Sequence, residues 1–190
     1  FHSDGNLADA KYPFWDQKKS RAKVLREFWE YLRANLPNKR LSADLFGLTT
    51  VSPDDLGIGQ KLENSFSSVD FVAPMVYPSH YASGFQGFAS PAAHPYEIIK
   101  YSMETALKRL KTYNEKLAMG ESGLGTSTPS STISYKSSVS FRPWLQDFDL
   151  GADYNAEMVE QEIQAVYDAA STTPELISGW MLWNPSNVYT

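Results

Sequence analysis

Three parts of the chain carry apolar residues at helical spacing. The first predicted helix covers 16–36, the second 96–116 and the third 155–171. Five apolar residues form the buried face of the first: Leu25, Phe28, Trp29, Leu32 and Leu36. A shorter helix is predicted over 52–66, because Ser52 suits an N-cap.

Four segments are predicted as strands, at 40–47, 69–78, 141–151 and 177–184. The first alternates apolar and polar residues, as a strand with one buried face does. The second, VDFVAPMVYP, is almost wholly apolar, which indicates burial on both faces, as in parallel sheets. Pro74 interrupts it and predicts a local irregularity such as a bulge, because proline has no N–H to donate to a sheet.

Helices and strands alternate along the chain, which predicts an α/β fold with a parallel sheet, formed by the whole of 1–190 as a single unit. Residues 119–138 are rich in Gly, Ser and Thr and are predicted to form a flexible insertion. The sequence has neither a GxGxxG turn nor a P-loop, so dinucleotide and nucleoside triphosphate binding lack their motifs. It also lacks the GxSxG elbow of serine hydrolases.

Composition narrows the function classes further. The net charge is −5, and the one basic cluster, Lys108, Arg109 and Lys111, suits a solvated helix face, so we expect no nucleic acid partner. No apolar run approaches the roughly 20 residues that span a bilayer. The chain has no cysteine, and its three histidines lack metal-ligand spacing, so we expect neither metal nor cofactor. The compartment stays open, with the extracellular space or cell envelope preferred.

The predicted strands end in carboxylates, amides and aromatic rings. Ligand sites of barrels and open α/β sheets gather at the carboxyl ends of the strands. Nine residues there form the candidate set: Asp44, Tyr77, His80, Tyr81, Trp144, Gln146, Asp147, Trp183 and Asn184. Carboxylates can protonate a glycosidic oxygen or attack an anomeric carbon, amides can bind hydroxyls, and aromatic rings can stack on a pyranose. The pattern therefore indicates a carbohydrate site.

Each of these residues also has a structural interpretation. Asp44 suits the cap of a following turn, and on periodicity alone capping is the commoner role. Asp147 equally suits a solvated strand end, and His80 a surface hydrogen bond. A tryptophan in a strand, such as Trp144 or Trp183, usually belongs to the core. A structural or assembly protein therefore stays open beside an enzyme.

The chain contains, in this order, DDLGIGQKLE (54–63), DFVAPMVYPSHY (70–81), FRPWLQDF (141–148) and GWMLWNPSNVY (179–189). Together these segments resemble the bacterial "putative glycosyl hydrolase domain" family, a relative of α-amylase-like and other TIM-barrel glycosidases. The 119–138 stretch lies outside the resemblance. The resemblance implies a (β/α)₈ barrel, of which this chain corresponds to roughly the C-terminal half, strands five to eight.

Members of that family carry an earlier strand that ends in an Asp-Tyr-Ile-Arg-Phe-Pro-Ser-Asp-Gly type of motif. Phe1, Ser3, Asp4 and Gly5 match the end of this motif, and His2 stands at its proline. The strand's own aspartate is not in this sequence. We therefore expect a fragment that is inactive alone and that associates with the missing half-barrel or with itself, because bare sheet edges invite pairing.

By resemblance, Asp44 takes the place of the general acid, which is a glutamate in the α-amylase-like enzymes, and Asp147 is the second catalytic candidate. Seven residues would then bind the sugar: Tyr77, His80, Tyr81, Trp144, Gln146, Trp183 and Asn184. The resemblance also implies a cis peptide between Trp183 and Asn184. The predicted function is a glycoside hydrolase acting on a polysaccharide, with a non-catalytic carbohydrate-binding barrel as the alternative.

Overall fold

The computed structural model describes residues 18–119 and 138–190. The helices of the described part are α1 (Arg21–Asn35), α2 (Pro95–Ala118) and α3 (Ala156–Ala169). Its strands are β1 (Ser42–Phe46), β2 (Phe71–Met75), β3 (Ser140–Phe141), β4 (Trp144–Gln146) and β5 (Met181–Trp183). The FHSDG motif and nearly all of the predicted 119–138 insertion lie outside the described residues.

Local sequence signals explain where the helices begin. The Ser20 side chain accepts a hydrogen bond from the Lys23 N–H and caps α1, and the Asn155 side chain caps α3 in the same way. Pro95 is the first residue of α2, a position where its missing N–H costs nothing. The three long predicted helices are confirmed, although α1 begins later than its apolar pattern indicated.

The predicted helix over 52–66 is wrong. Only a short 3₁₀ turn forms there, at Leu62–Asn64. Leu56, Gly57 and Gly59 have φ angles of 55°, 68° and 84°, which a right-handed helix does not tolerate. A Cβ atom on Gly59 would also lie 2.9 Å from the Arg21 backbone, so this turn requires glycine where it passes α1.

All strand pairs among the described residues are parallel, and the sheet order is β1-β2-β4-β5, with β3 also paired to β2. The strand positions therefore follow chain order, with β3 and β4 together occupying the position beside β2. The longest connections run through α2 and α3. The predicted α/β class is confirmed, and the arrangement is consistent with part of a barrel.

Pro74 does not cause a bulge in β2. The register with β1 continues through it, and Leu45 is its partner. On the other side Val72 pairs with Phe141 and Met75 with Trp144, so Pro74 lies opposite Pro143. Opposite residues of a parallel pair do not bond to each other, and the Pro143 carbonyl accepts from Met181 N beside β5, so what is missing on the β2 side is the N–H that Pro74 lacks. The predicted third strand is split into β3 and β4 at this position.

The two faces of the sheet differ in their environment. One face packs against the helices and joins the core through Ala43, Leu45, Val72, Phe141 and Leu145. On β1, the alternate residues Ser42 and Asp44 are exposed and Phe46 is half-buried. The second face, which we call the open face, therefore presents side chains to solvent.

Candidate functional site

Asp44 and two tryptophans meet on the open face of the sheet. Trp144 donates a hydrogen bond from Nε1 to Asp44 Oδ1 over 3.2 Å. The Trp144 and Trp183 rings lie perpendicular to each other, with centroids 6.2 Å apart and an interplanar angle of 88°. Trp183 is 45% exposed, which is unusual for a residue of this size in a strand. The arrangement places a carboxylate beside two aromatic surfaces.

A group of rings lies at the carboxyl end of β2. The centroid of Tyr77 lies 5.1 Å from that of His80 and 5.5 Å from that of Phe148, in edge-to-face contacts. His80 also stacks on Phe46 at 6.1 Å. Phe46 belongs to the open face, so this group, which we call the ring cluster, borders the face that carries Asp44.

The electrostatics of the ring cluster favour uncharged hydrogen-bonding groups. Burial, followed by the charges of Asp44 and Glu162, raises the pKa of Tyr77, so its phenol keeps its proton. Partial burial between its aromatic neighbours lowers the pKa of His80. Neutral phenol and imidazole groups can each donate and accept hydrogen bonds, as binding of sugar hydroxyls requires.

Gln146 is fully buried, and both polar atoms of its side chain make hydrogen bonds within the protein. Its Oε1 accepts a hydrogen bond from Ser79 N over 3.2 Å, and its Nε2 donates to Phe148 O over 2.9 Å. Through these contacts the side chain links two loops at the carboxyl end of the sheet. Its role in sugar binding stays a prediction.

The carboxylate of Asp147 is likewise hydrogen-bonded within the protein. Its side chain is 1% exposed, and its two carboxylate oxygens accept hydrogen bonds from the Thr190 hydroxyl over 2.7 Å and from the Thr190 N–H over 3.1 Å. Asn184 donates from Nδ2 to the carbonyl of Asp147 and accepts from Ser186 N. Both residues therefore hold the segment after β5 in place.

Tyr81 lies away from the open face. It is 4% exposed, and its hydroxyl shares a 2.8 Å hydrogen bond with Ser102 of α2. Burial raises its pKa to about 12. Its ring packs on Phe85 with centroids 4.6 Å apart. The side chain anchors the β2–α2 loop on the helix layer.

The structure therefore brings five of the nine predicted residues together: Asp44, Tyr77, His80, Trp144 and Trp183. The peptide bond between Trp183 and Asn184 is trans, so the predicted cis bond is wrong. Residues 18–119 and 138–190 contain no group of three or more His, Cys, Asp or Glu side chains that could hold a metal ion.

Two contributors were missed from the sequence. Phe148 belongs to the ring cluster, and Glu162 of α3 accepts the Gln146 N–H over 2.8 Å. Glu162 is fully buried within the apolar stripe of α3, between Val159 and Val166. A carboxylate inside an apolar helical stripe is a signal that periodicity analysis could have used.

An open groove of about 610 Å³ lies between the last turns of α2 and the segment after α3. Leu107, Ala118 and Leu176 contribute apolar lining, and Lys108 and Lys111 lie at its side. None of the predicted site residues lines it. We therefore place the candidate site on the open face.

A family model described as a putative glycosyl hydrolase domain matches residues 1–189. The chain belongs to this family. The resemblance of the four segments is confirmed, and the matched range also spans residues 119–138. No curated protein and no solved structure matched the chain. Within the described residues, no helix has the length and apolar character needed to cross a membrane.

Proposed function

We propose that the chain forms the acid-bearing part of a glycoside hydrolase that acts on a polysaccharide. The observation that carries this proposal is the contact between Trp144 and Asp44 beside the perpendicular ring of Trp183. A pyranose stacked on the exposed face of Trp183 would lie near the carboxylate. Family membership independently supports glycoside hydrolysis as the reaction class.

Asp44 is the proposed general acid. Trp144 occupies Oδ1 and so fixes the orientation of the carboxyl group, while Oδ2 accepts no hydrogen bond within the described part of the chain. Protonated Oδ2 would give its proton to the glycosidic oxygen as the bond to the anomeric carbon breaks. The second carboxylate would act as nucleophile or as the base that activates water. We assign it to an additional segment, because Asp147 is engaged by Thr190.

The fold that we propose is a (β/α)₈ barrel to which this chain contributes four consecutive strand positions. A barrel of this type surrounds its interior with parallel strands in chain order and with helices outside. On the open face, Phe71, Met75 and Met181 are only half-buried, as expected for side chains that belong inside a closed barrel. Strands β1 and β5 end the sheet of the described residues.

Helix α1 supports the same proposal. Val24, Phe28 and Tyr31 are 44%, 51% and 63% exposed and form one apolar stripe at helical spacing. The stripe lies about 150° around the helix from Arg26 and Glu30, whose charges act on Tyr113 of α2. It therefore faces away from α2, as the free edge of β1 faces away from β2, and a further β/α unit would cover both.

Self-association and dye binding in solution test the proposed barrel. We expect the 190-residue chain alone to self-associate and to bind an apolar dye, because no other part of 18–119 and 138–190 covers the stripe or the open face. Replacing Phe28 and Tyr31 by serine should reduce dye binding and association, whereas Tyr167→Ser, at an exposed position of α3, should not. A monodisperse monomer that unfolds in one two-state transition would contradict the proposal.

A carbohydrate-binding module without catalysis is the second candidate. The state of Asp147 favours it, since the second predicted acid is buried and bound on both oxygens. In this case the ring cluster and the tryptophan pair would bind a glycan and no bond would be cleaved.

Asp44→Asn separates the two candidates. We expect the full-length protein to release reducing ends from one member of a panel of plant, microbial and storage polysaccharides, and Asp44→Asn to abolish release while glycan affinity remains. Asp153→Asn is the matched control, because Asp153 is an exposed aspartate in the loop before α3. Unchanged release by Asp44→Asn would eliminate Asp44 as the acid. Binding without release by the unaltered protein would favour the binding module.

A further inference from the structure

Glu162 is a buried carboxyl group without a cationic partner among the described residues. Its Oε1 accepts a hydrogen bond from the Tyr154 hydroxyl over 2.7 Å, and its Oε2 accepts one from Gln146 N over 2.8 Å. The titratable groups that interact with it are Tyr154, Asp147 and Tyr77, and none of them is cationic. A buried carboxyl group in such a setting is costly unless its hydrogen bonds offset the loss of solvation.

The position of Glu162 explains what it contacts. Strand β2 ends at Met75 and turns away at Pro78, while β4 continues to Gln146. The N–H of Gln146 therefore donates to the side chain of Glu162 on α3. A side chain in this place fixes the last residue of β4 relative to the helix layer.

The side chain of Gln146 hydrogen-bonds to both neighbouring loops. Its Oε1 holds Ser79 N in the loop after β2, and its Nε2 holds Phe148 O in the loop after β4. His80 follows Ser79 directly, so the two clamped backbone groups belong to the segments that carry the His80 and Phe148 rings. These are the two rings that contact Tyr77.

We propose that Glu162 is a positioning residue that acts through Gln146 to set the placement of the His80 and Phe148 rings around Tyr77. Only the assignment of these rings to sugar binding rests on the proposed function; the placement itself is independent of it. Burial raises the pKa of Glu162 well above its usual value, although its two hydrogen bonds oppose the rise. A glutamine amide is similar in shape to this carboxyl group, which provides a conservative variant.

The pKa of His80, followed by NMR in the full chain, measures this placement without any substrate. Packing between the rings lowers the pKa of His80 below 6.5 in the unaltered protein. In Glu162→Leu we expect it to return toward 6.5, because the loop that carries it loses its anchor. In Glu162→Gln we expect it to stay low.

Glu160→Leu is the matched control, because Glu160 is exposed on the same helix. An unchanged His80 pKa in folded Glu162→Leu would overturn the proposal, and so would an equal change of the His80 pKa in Glu160→Leu. If Glu162→Leu does not fold, Gln146→Met replaces it, since this change removes both loop contacts and keeps the backbone N–H; the same two outcomes then decide. Failure to detect hydrolysis affects the proposed function and leaves this test intact.

Discussion

Trp144 donates its indole N–H to Asp44 Oδ1 over 3.2 Å, although 100 residues separate them in the chain. The contact joins a predicted acid and a predicted stacking residue in one unit on the open face. The turn that follows β1 has no side-chain cap, and Trp144 is only half-buried.

Trp144→Phe should separate catalysis from binding. The phenyl ring keeps an aromatic surface but removes the donor that orients Asp44. A hydrogen bond to a charged group contributes about 1.5–3 kcal/mol, so we expect kcat/KM to fall by ~10- to 100-fold on the polysaccharide that the Asp44→Asn experiment identifies. Glycan affinity should change little.

Trp180→Phe is the control for this change, because Trp180 packs against the core rather than on Asp44. Equal losses of kcat/KM in the two variants would show that the indole contact with Asp44 has no special importance.

Trp183→Ala should distinguish a binding residue from a core residue. Because Trp183 is 45% exposed, we expect urea unfolding to show a loss of less than about 1.5 kcal/mol. Trp29→Ala, at a position only 8% exposed, should cost about 3–5 kcal/mol. Glycan affinity should fall about tenfold in Trp183→Ala, a loss near 1.4 kcal/mol. A loss of stability as large as that of Trp29→Ala would favour the structural interpretation.

The alternation of elements was predictable because it follows from short-range periodicity. Leu45 and Val72 occupy the helix-facing side of the sheet, as the apolar patterns indicated. The split of the third predicted strand opposite Pro74 was not predictable, since it depends on which residues pair with β2 from a segment nearly seventy positions further along the chain. Periodicity within one strand contains no information about the partner strand.

The residue types of the candidate site were predictable from the sequence, whereas the contacts of each side chain were less predictable. Chain order predicted Asp44, Trp144 and Trp183 at the same end of one sheet, and the structure brings Trp144 into contact with both of the others. The partners of Gln146 and Asp147 lie 67 and 43 residues away, at Ser79 and Thr190. Such long-range hydrogen bonds decide whether a polar strand-end residue faces a ligand or the protein, and local sequence does not reveal them.

Arg109 is a further case where long-range contacts override local pattern. Its basic neighbours predicted a solvated side chain. Instead, Nε and Nη2 donate to both carboxylate oxygens of Glu63 over 2.7 Å. Nη1 donates to the carbonyls of Thr49, Thr50 and Ser52. The side chain thus fastens the segment after β1, which follows Asp44, to α2.

Arg109→Met should destabilise the protein by about 3 kcal/mol, because it leaves Glu63 part-buried without its partner. Arg109→Lys should restore little, since an ammonium group cannot reproduce the planar fork. Urea unfolding measures both changes, with Lys108→Met as the exposed control. Burial opposes the effect, yet the contacts with Arg109 lower the pKa of Glu63. This stabilisation is therefore present above pH 4.5 and lost as the pH falls through the lowered pKa; a flat profile would contradict it.

Glu162 should produce the opposite pH dependence. Burial raises its pKa in the folded state, so between pH 4.5 and that raised pKa the folded protein binds more protons than the unfolded chain. The free energy of unfolding should therefore decrease as the pH rises through this window, with a slope of at most about 1.4 kcal/mol per pH unit from this group. Glu162→Gln removes the titration and should flatten the profile above pH 4.5, and Glu160→Gln, at an exposed position of the same helix, is the control. Urea unfolding at a series of pH values measures these slopes. An identical slope in the unaltered protein and in Glu162→Gln would show that Glu162 ionises as readily in the folded protein as in the unfolded chain.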